Sequence, residues 1–242
     1  MRELGAALRP DLLVATGDMS HRGRPEQLRR SAEILRDLGL PLLAVPGNHD
    51  IPYTFPARFT RTFAGWERSY GETEPLHSSD SLVVAGLNSV RPWRQQGGAL
   101  RPDQLTRAAA RLRDAPAGAY RVVALHHHLA APPWHSARKK PIRRRDEVLR
   151  TLAEAGAELV LSGHVHQAAL AERREFEALE DGSHASLVLA SGPGIGRPRP
   201  HRSGETRGVN VYDAEPDTLT VTTLIWDGKE FAEIGRRIFA RR

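Results

Sequence analysis

Apolar residues recur along this chain in two spacings, and each spacing predicts a different kind of element. Short apolar runs predict strands at residues 12–15, 42–45, 82–87, 122–125, 159–161, 187–190, 208–212 and 218–225. Apolar positions three or four residues apart predict helices at residues 2–8, 25–38 and 146–155, and another that opens at Pro102. Because helices become scarce after residue 159, the pattern predicts an α/β protein of layered sheets flanked by helices.

Length and composition indicate one soluble domain over residues 1–242, with 40% hydrophobic and 26% charged residues. No apolar run reaches the roughly 18 residues of a membrane span. The N-terminus lacks the apolar segment of a secretory signal, so we expect a cytoplasmic protein. The absence of cysteine excludes disulfides and thiolate metal sites. The composition leaves the oligomeric state open, a dimer included.

The net charge of +6 is carried mostly by arginine, and basic residues cluster at 138–140, 143–145 and 236–242. Such runs are typical of proteins that bind nucleic acid, but no aromatic residues alternate with them as a base-stacking surface requires. We therefore interpret the runs as solvated surface and do not expect a nucleic-acid partner.

Polar clusters follow four of the predicted strands at their carboxyl ends. They are Gly17-Asp18, Gly47-Asn48-His49-Asp50, His126-His127-His128 and Gly163-His164-Val165-His166. Ligands of open α/β sheets bind at this end of the strands. A carboxylate, an amide oxygen and several imidazoles form a donor set that suits divalent Mn, Fe or Zn. Each cluster alone also occurs as an ordinary turn or strand end, so the prediction rests on all of them together.

In this order the clusters resemble the sequence blocks of the calcineurin-like metallophosphoesterases, which are Gly-Asp, Gly-Asn-His-Asp/Glu, His and Gly-His-x-His. The chain also resembles one branch of that superfamily, the bacterial class III cyclic-nucleotide phosphodiesterases. The resemblance covers residues 9–226. It implies a four-layer α/β/β/α sandwich with two metal ions at the strand ends. The ions expected for the family are Mn2+, Fe2+/Fe3+ or Zn2+.

The same resemblance implies which side chains bind the metals. Asp18 would bridge the two ions, and His166 would bind one of them. The other ion would be bound by Asn48, His126 and His164. His126 is preferred within the histidine triplet because it directly follows the strand, and His127 is the alternative.

The resemblance also implies roles for two of the polar residues that follow the predicted strand at 42–45, His49 and Asp50. His49 would donate a proton to the leaving group, and Asp50 would accept a hydrogen bond from His49 and keep it protonated. A hydroxide held between the metals would attack phosphorus.

One block of the family, Asp-x-His, does not occur before Gly17. We expect the start codon to lie upstream and to restore that block. Without it the first core strand of the sandwich is missing, and one metal keeps only Asp18 and His166. One metal or none is then expected, with impaired activity.

The sequence therefore predicts a hydrolase, a metallophosphoesterase acting on a small phosphorylated substrate, either a phosphodiester such as a cyclic nucleotide or a phosphomonoester. Two alternatives stay open. One is a non-catalytic relic that binds a phosphate ligand at half a metal site, and the other is a DNA-directed nuclease of the same superfamily. Four further residues, Arg91, Trp93, Trp134 and His201, are candidates for lining a substrate pocket.

Overall fold

The computed structural model describes residues 2–94, 96–130, 139–174, 186–196 and 205–241. Its helices are α1 Arg2–Leu8, α2 Pro25–Arg36, α3 Ala57–Thr60, α4 Ala64–Tyr70, α5 Pro102–Arg113 and α6 Arg145–Glu154. Its strands are β1 Leu13–Ala15, β2 Leu42–Ala44, β3 Leu76–Ser78, β4 Leu82–Leu87, β5 Tyr120–Leu125, β6 Leu159–Ser162, β7 Ala169–Arg174, β8 Ser186–Ser191, β9 Gly208–Ala214, β10 Thr218–Trp226 and β11 Phe231–Ala240. Within this described part of the chain, none of the helices has the length and apolar character needed to cross a membrane.

The strands form three sheets. The largest has six strands in the order β3-β4-β5-β6-β8-β7, with β4, β5, β6 and β8 parallel and the two edge strands antiparallel to their neighbours. The β1–β2 sheet is a parallel pair, and β9, β10 and β11 form an antiparallel meander. The strands that precede the four predicted polar clusters are β1, β2, β5 and β6. Strand β1 pairs in parallel with β2, and β5 pairs in parallel with β6.

Three apolar clusters hold these sheets and the helices in layers. The first packs α5 and α6 against one face of the six-stranded sheet, through residues such as Leu112 and Leu152. The second fills the space between the six-stranded sheet and the two smaller sheets, and includes Val122 and Val221. The third packs α2 and α4 on the outer side of the β1–β2 pair, through Leu28 and Trp66. The order helix, sheet, sheet, helix confirms the predicted four-layer sandwich.

The predicted elements are present with bounds that differ by at most two residues. Helix α2 ends before Gly39, whose φ of 71° suits the predicted stop. Elements that the pattern did not predict are α3, α4, β3, β7 and β11. Part of the predicted loop at 191–205 lies outside the described residues, and its first residue belongs to β8.

The packing of α2 gives a direct test of the fourth layer. Leu28 is 0% exposed in the third apolar cluster, whereas Ile34 of the same helix is 56% exposed. We expect Leu28→Ala to lower the free energy of unfolding by about 3 kcal/mol, because truncation leaves a cavity. Ile34→Ala, the matched control, should change it by less than about 0.5 kcal/mol. Urea unfolding of both variants measures the difference, and equal values would contradict the packing of α2.

Candidate active site

Two loops that follow β1 and β2 meet at the centre of the site. Gly17 has a φ of 94°, a conformation that favours glycine, and Asp18 follows with a φ of 61°. A Cβ on Gly17 would lie 2.6 Å from the backbone nitrogen of Gly47. A Cβ on Gly47 would in turn clash with the Asp18 carboxylate. The glycines of both motifs are therefore required for the loops to approach each other.

Four donor atoms from the ends of β1, β2, β5 and β6 converge beside these loops. His126 Nε2 lies 3.0 Å from Asn48 Oδ1, 3.1 Å from His164 Nδ1 and 3.4 Å from Asp18 Oδ1. Asn48 Oδ1 also lies 3.0 Å from His164 Nδ1. Asn48, His126 and His164 are all at most 3% exposed. A buried set of one carboxylate, one amide oxygen and two imidazoles fits a divalent transition-metal ion.

A backbone contact orients the His126 ring toward this cluster. Its Nδ1 lies 2.8 Å from the carbonyl oxygen of Thr16, to which it can only donate a proton. Nε2 is therefore the nitrogen with the lone pair, and it is the nitrogen that faces Asn48 and His164. This is how metal-binding histidines are commonly held.

His127 is also placed to bind a metal. It is 1% exposed, and its Nδ1 lies 2.8 Å from Ser89 Oγ, while its Nε2 has no hydrogen-bond partner among the described residues. His126, His127 and His164 each offer a ligand atom, and these atoms lie within 4.8 Å of one another. The choice of His126 over His127 stays a prediction, which the contacts of His126 with Asn48 and Asp18 favour.

His166 lies on the other side of Asp18. Its Nε2 is 3.8 Å from Asp18 Oδ2, and its side chain is 32% exposed. Asp18 thus directs one oxygen toward His126 and the other toward His166. The bridging of two ions by this carboxylate stays a prediction. Among the residues the structure describes, the one group of three metal-ligand side chains is that of His126, His127 and His164.

The backbone of His49 is fixed by the neighbouring loop. Its N–H donates to Asp18 Oδ1 at 3.0 Å. Its carbonyl oxygen accepts hydrogen bonds from Ser20 Oγ at 3.1 Å and from the Gly23 N–H at 2.7 Å. Its ring nitrogen Nδ1 lies 3.0 Å from the hydroxyl of Tyr53, a residue that the motifs did not identify.

Asp50 has different hydrogen-bond partners from the one predicted. We expected its carboxylate to accept a hydrogen bond from His49. Its oxygens instead accept the backbone N–H groups of Ser20 at 2.7 Å and Gly47 at 2.8 Å. The side chain therefore ties the loop after β1 to the loop after β2, because backbone amides are suitable donors for a buried carboxyl group.

Burial and mutual charge shift the pKa values of the site. Burial, and then the negative charge of Asp18, raise the pKa of Asp50 to about 7. Burial alone would raise the pKa of Asp18 too, but His126, His166 and the backbone of His49 outweigh it and hold that pKa well below its usual range. The Asp18 carboxylate is therefore ionised in the folded protein near neutral pH.

The pKa values of the three buried histidines are lowered, which favours the neutral form of each ring. Burial lowers the pKa of His126, His127 and His164, and for His164 the neighbouring His126, His127 and Lys139 lower it further. Neutral imidazoles carry the lone pairs that bind a cation. The site is therefore in the ligand form at neutral pH.

In the described part of the basic run at 138–145, Lys139 contacts the site. Arg138 lies outside the described residues, but Lys139 is 9% exposed and donates to the carbonyl oxygen of His164. Arg144 pairs with Glu147 at 2.7 Å, as expected for solvated surface. The interpretation as solvated surface is therefore wrong for Lys139.

The structure describes two of the four candidates for a substrate pocket, Arg91 and Trp93. Arg91 is buried and donates to the carbonyl oxygen of Val90 at 2.7 Å, so it serves the loop after β4. Trp93 is 69% exposed. Trp134 and His201 lie outside the described residues.

Comparison with known proteins finds relatives that are named as cyclic-nucleotide phosphodiesterases. A cAMP/cGMP dual specificity phosphodiesterase of Mycobacterium tuberculosis is 27% identical over 232 residues, which are 93% of this chain and 69% of the relative. A probable cyclic nucleotide phosphodiesterase of Synechococcus is 34% identical over 164 residues, which are 66% of this chain. The match spans 59% of that relative's length.

Among solved structures, a dimetal phosphatase from Danio rerio superposes with a TM-score of 0.68 at 12% identity, covering 99% of this chain and 86% of that one. At this identity the likeness concerns the fold. The model of the family described as calcineurin-like phosphoesterase matches residues 1–168, which include every motif of the site. The chain therefore belongs to the calcineurin-like phosphoesterase family.

Proposed function

We propose that this protein is a metal-dependent hydrolase of small phosphodiesters, with a 3′,5′-cyclic nucleotide as the first substrate to test. The observation that carries the proposal is the convergence of Asp18, Asn48, His126 and His164, with the backbone N–H of His49 donating to Asp18. The names of the Synechococcus and Mycobacterium relatives support the cyclic-nucleotide substrate.

In this proposal the four converging side chains hold one divalent cation. When bound, the ion supplies Lewis-acid polarisation of the phosphoryl group and activation of water. Asp18 and His166 would supply two donors to a second ion, fewer than the three or four that tight sites provide. One ion per chain is therefore our expectation for these 242 residues.

His49 acts on the leaving group in the same proposal. An alkoxide leaving group, such as that of a ribose, is a strong base and leaves more readily when it receives a proton as the P–O bond breaks. The contacts of its N–H and carbonyl group hold the backbone of His49 beside Asp18. We assign Nε2 as the proton donor because Nδ1 faces the Tyr53 hydroxyl.

Asp50 supports His49 indirectly in this proposal. Its carboxyl group fixes the backbone of Ser20 and Gly47, and Ser20 in turn donates to the carbonyl oxygen of His49. The loop geometry that places His49 beside Asp18 therefore depends on Asp50, and the role we assign to Asp50 is positional.

The DNA-directed alternative has less support. A nuclease would use the basic run at 138–145 against the phosphate backbone. Lys139 is instead engaged with the His164 carbonyl group, and Arg144 and Arg145 each lie beside an acidic residue, at 2.7 Å from Glu147 and 3.3 Å from Asp146.

Turnover tests the hydrolase proposal against a phosphate-binding protein. We expect the Mn2+-loaded chain to hydrolyse bis(4-nitrophenyl) phosphate and a 3′,5′-cyclic nucleotide. His49→Asn should lower kcat for the cyclic nucleotide by about 100-fold or more, as for the loss of a general acid. Retained phosphate binding without turnover of either compound would favour the non-catalytic alternative.

Metal content tests the assignment of the ligands. We expect elemental mass spectrometry to find one Mn2+ per chain after removal of excess metal, because four donors surround a single position. His126→Ala should reduce the content to less than half of that value. His166→Ala, the matched control at the same Asp18, should leave it unchanged. Two ions per chain would contradict the one-ion expectation.

The lowered pKa values predict a weak pH dependence of metal binding. A site with two ordinary histidines of pKa about 6.5 loses about 100-fold in affinity between pH 7.5 and 5.5, since protons compete at both rings. In this chain burial lowers the pKa of His126 and His164, so competition begins at lower pH. We expect a loss of less than about 10-fold by isothermal titration with Mn2+. A 100-fold loss would show that the rings titrate normally.

A further inference from the structure

The ring of His49 has a neighbour that no motif of the family contains. The hydroxyl of Tyr53 lies 3.0 Å from His49 Nδ1, at hydrogen-bond distance. We propose that Tyr53 is the positioning residue of His49, and that its hydroxyl holds the imidazole in the orientation from which Nε2 delivers a proton to the leaving group. This inference rests on the role proposed for His49 above.

Tyr53 itself is held firmly. The guanidinium of Arg58 lies 5.6 Å from the centroid of the Tyr53 ring, and that of Arg22 lies at 5.9 Å. Arg58 is 7% exposed and donates to the carbonyl oxygens of Pro52 at 2.9 Å and Pro92 at 2.5 Å. A buried cation fixed to two backbone carbonyls makes a rigid support for an aromatic ring.

The hydroxyl supplies a constraint that the backbone hydrogen bonds and the ring stacking of His49 do not supply. The backbone is fixed through Asp18, and the ring stacks on His21 with centroids 5.7 Å apart and planes 21° from parallel. Stacking permits a half-turn of the imidazole about χ2, which exchanges Nε2 with a carbon atom. A hydrogen bond at Nδ1 permits only one of the two orientations.

A hydroxyl can serve both protonation states of the ring. While His49 is an imidazolium, its Nδ1–H donates to the Tyr53 oxygen. When the P–O bond breaks, the Nε2 proton passes to the leaving oxygen and the ring becomes neutral with its Nδ1–H bond intact. If the neutral ring instead carries its proton on Nε2, the Tyr53 hydroxyl donates to Nδ1.

The surroundings of Tyr53 keep it in the hydroxyl form that this role requires. Burial, followed by the negative charge of Asp18, raises the pKa of the phenol above its ordinary value. A neutral phenol has both a proton to donate and lone pairs that accept.

Leaving-group dependence separates positioning of a proton donor from a structural role. Methyl aryl phosphates whose phenols range from 4-nitrophenol to unsubstituted phenol need progressively more proton donation as the phenol becomes more basic. We expect Tyr53→Phe to lower kcat by less than about 3-fold for the 4-nitrophenyl ester and by about 10-fold or more for the phenyl ester, with KM unchanged. His49→Asn should show the same trend more strongly.

The double variant and a matched control complete the experiment. Because Tyr53 acts through His49, Tyr53→Phe should cause no further loss in the His49→Asn background. Tyr70→Phe removes a tyrosine hydroxyl that donates to Ser31 Oγ at 2.8 Å, and it should leave the leaving-group dependence unchanged. A uniform loss over the ester series, or additive losses in the double variant, would overturn the inference.

Nuclear magnetic resonance gives a readout that does not need turnover. In protein labelled with 15N-histidine, the two ring-nitrogen resonances of His49 are the pair missing from His49→Asn, and the Nδ1 resonance is the one that couples strongly to only one ring proton. We expect Tyr53→Phe to shift this resonance and Tyr70→Phe to leave it in place. An unshifted resonance would overturn the role of Tyr53. A His49→Asn variant with wild-type rates on all esters would instead overturn the proposed function.

Discussion

The carboxylate of Asp18 is the group on which the rest of the site depends. One of its oxygens accepts the N–H of His49 and lies 3.4 Å from His126, and the other lies 3.8 Å from His166. An ionised carboxylate with a side chain only 12% exposed is costly unless charges and hydrogen bonds surround it. A bound cation would meet that requirement, so the fold and the ion are expected to stabilise each other.

Parallel strands explain how residues far apart in the chain reach this carboxylate. Strands β5 and β6 pair in parallel within one sheet and β1 and β2 within another, so each pair delivers its loops in the same direction. The second apolar cluster packs these two sheets face to face, from Val14 and Leu43 on one side to Ala124 and Leu161 on the other. The packing of two sheets, rather than any single loop, thus determines the distance between Asp18 and His126.

Much of the fold and of the candidate metal-ligand cluster could be predicted from the sequence, because buried strands are apolar runs and the candidate ligands directly follow them. What could not be predicted depends on tertiary contacts. Strand β11 carries exposed Arg236 and Arg237, so it lacks an alternating pattern and forms because β10 pairs with it. Lys139 lies in a basic run that is indistinguishable from solvated surface until its contact with the His164 carbonyl group is known.

The motif predicts a hydrogen bond between the side chains of His49 and Asp50, and the hydrogen bonds of Asp50 differ from this prediction. Adjacent residues in a motif suggest adjacent roles, yet the carboxyl group of Asp50 accepts backbone N–H groups while His49 Nδ1 faces Tyr53. The Tyr53 hydroxyl is a neutral partner that orients the ring, while the ionised carboxylate of Asp18 is the negative charge near His49. In the proposed mechanism, orientation and charge are therefore supplied to His49 by different groups, the first by Tyr53 and the second by Asp18.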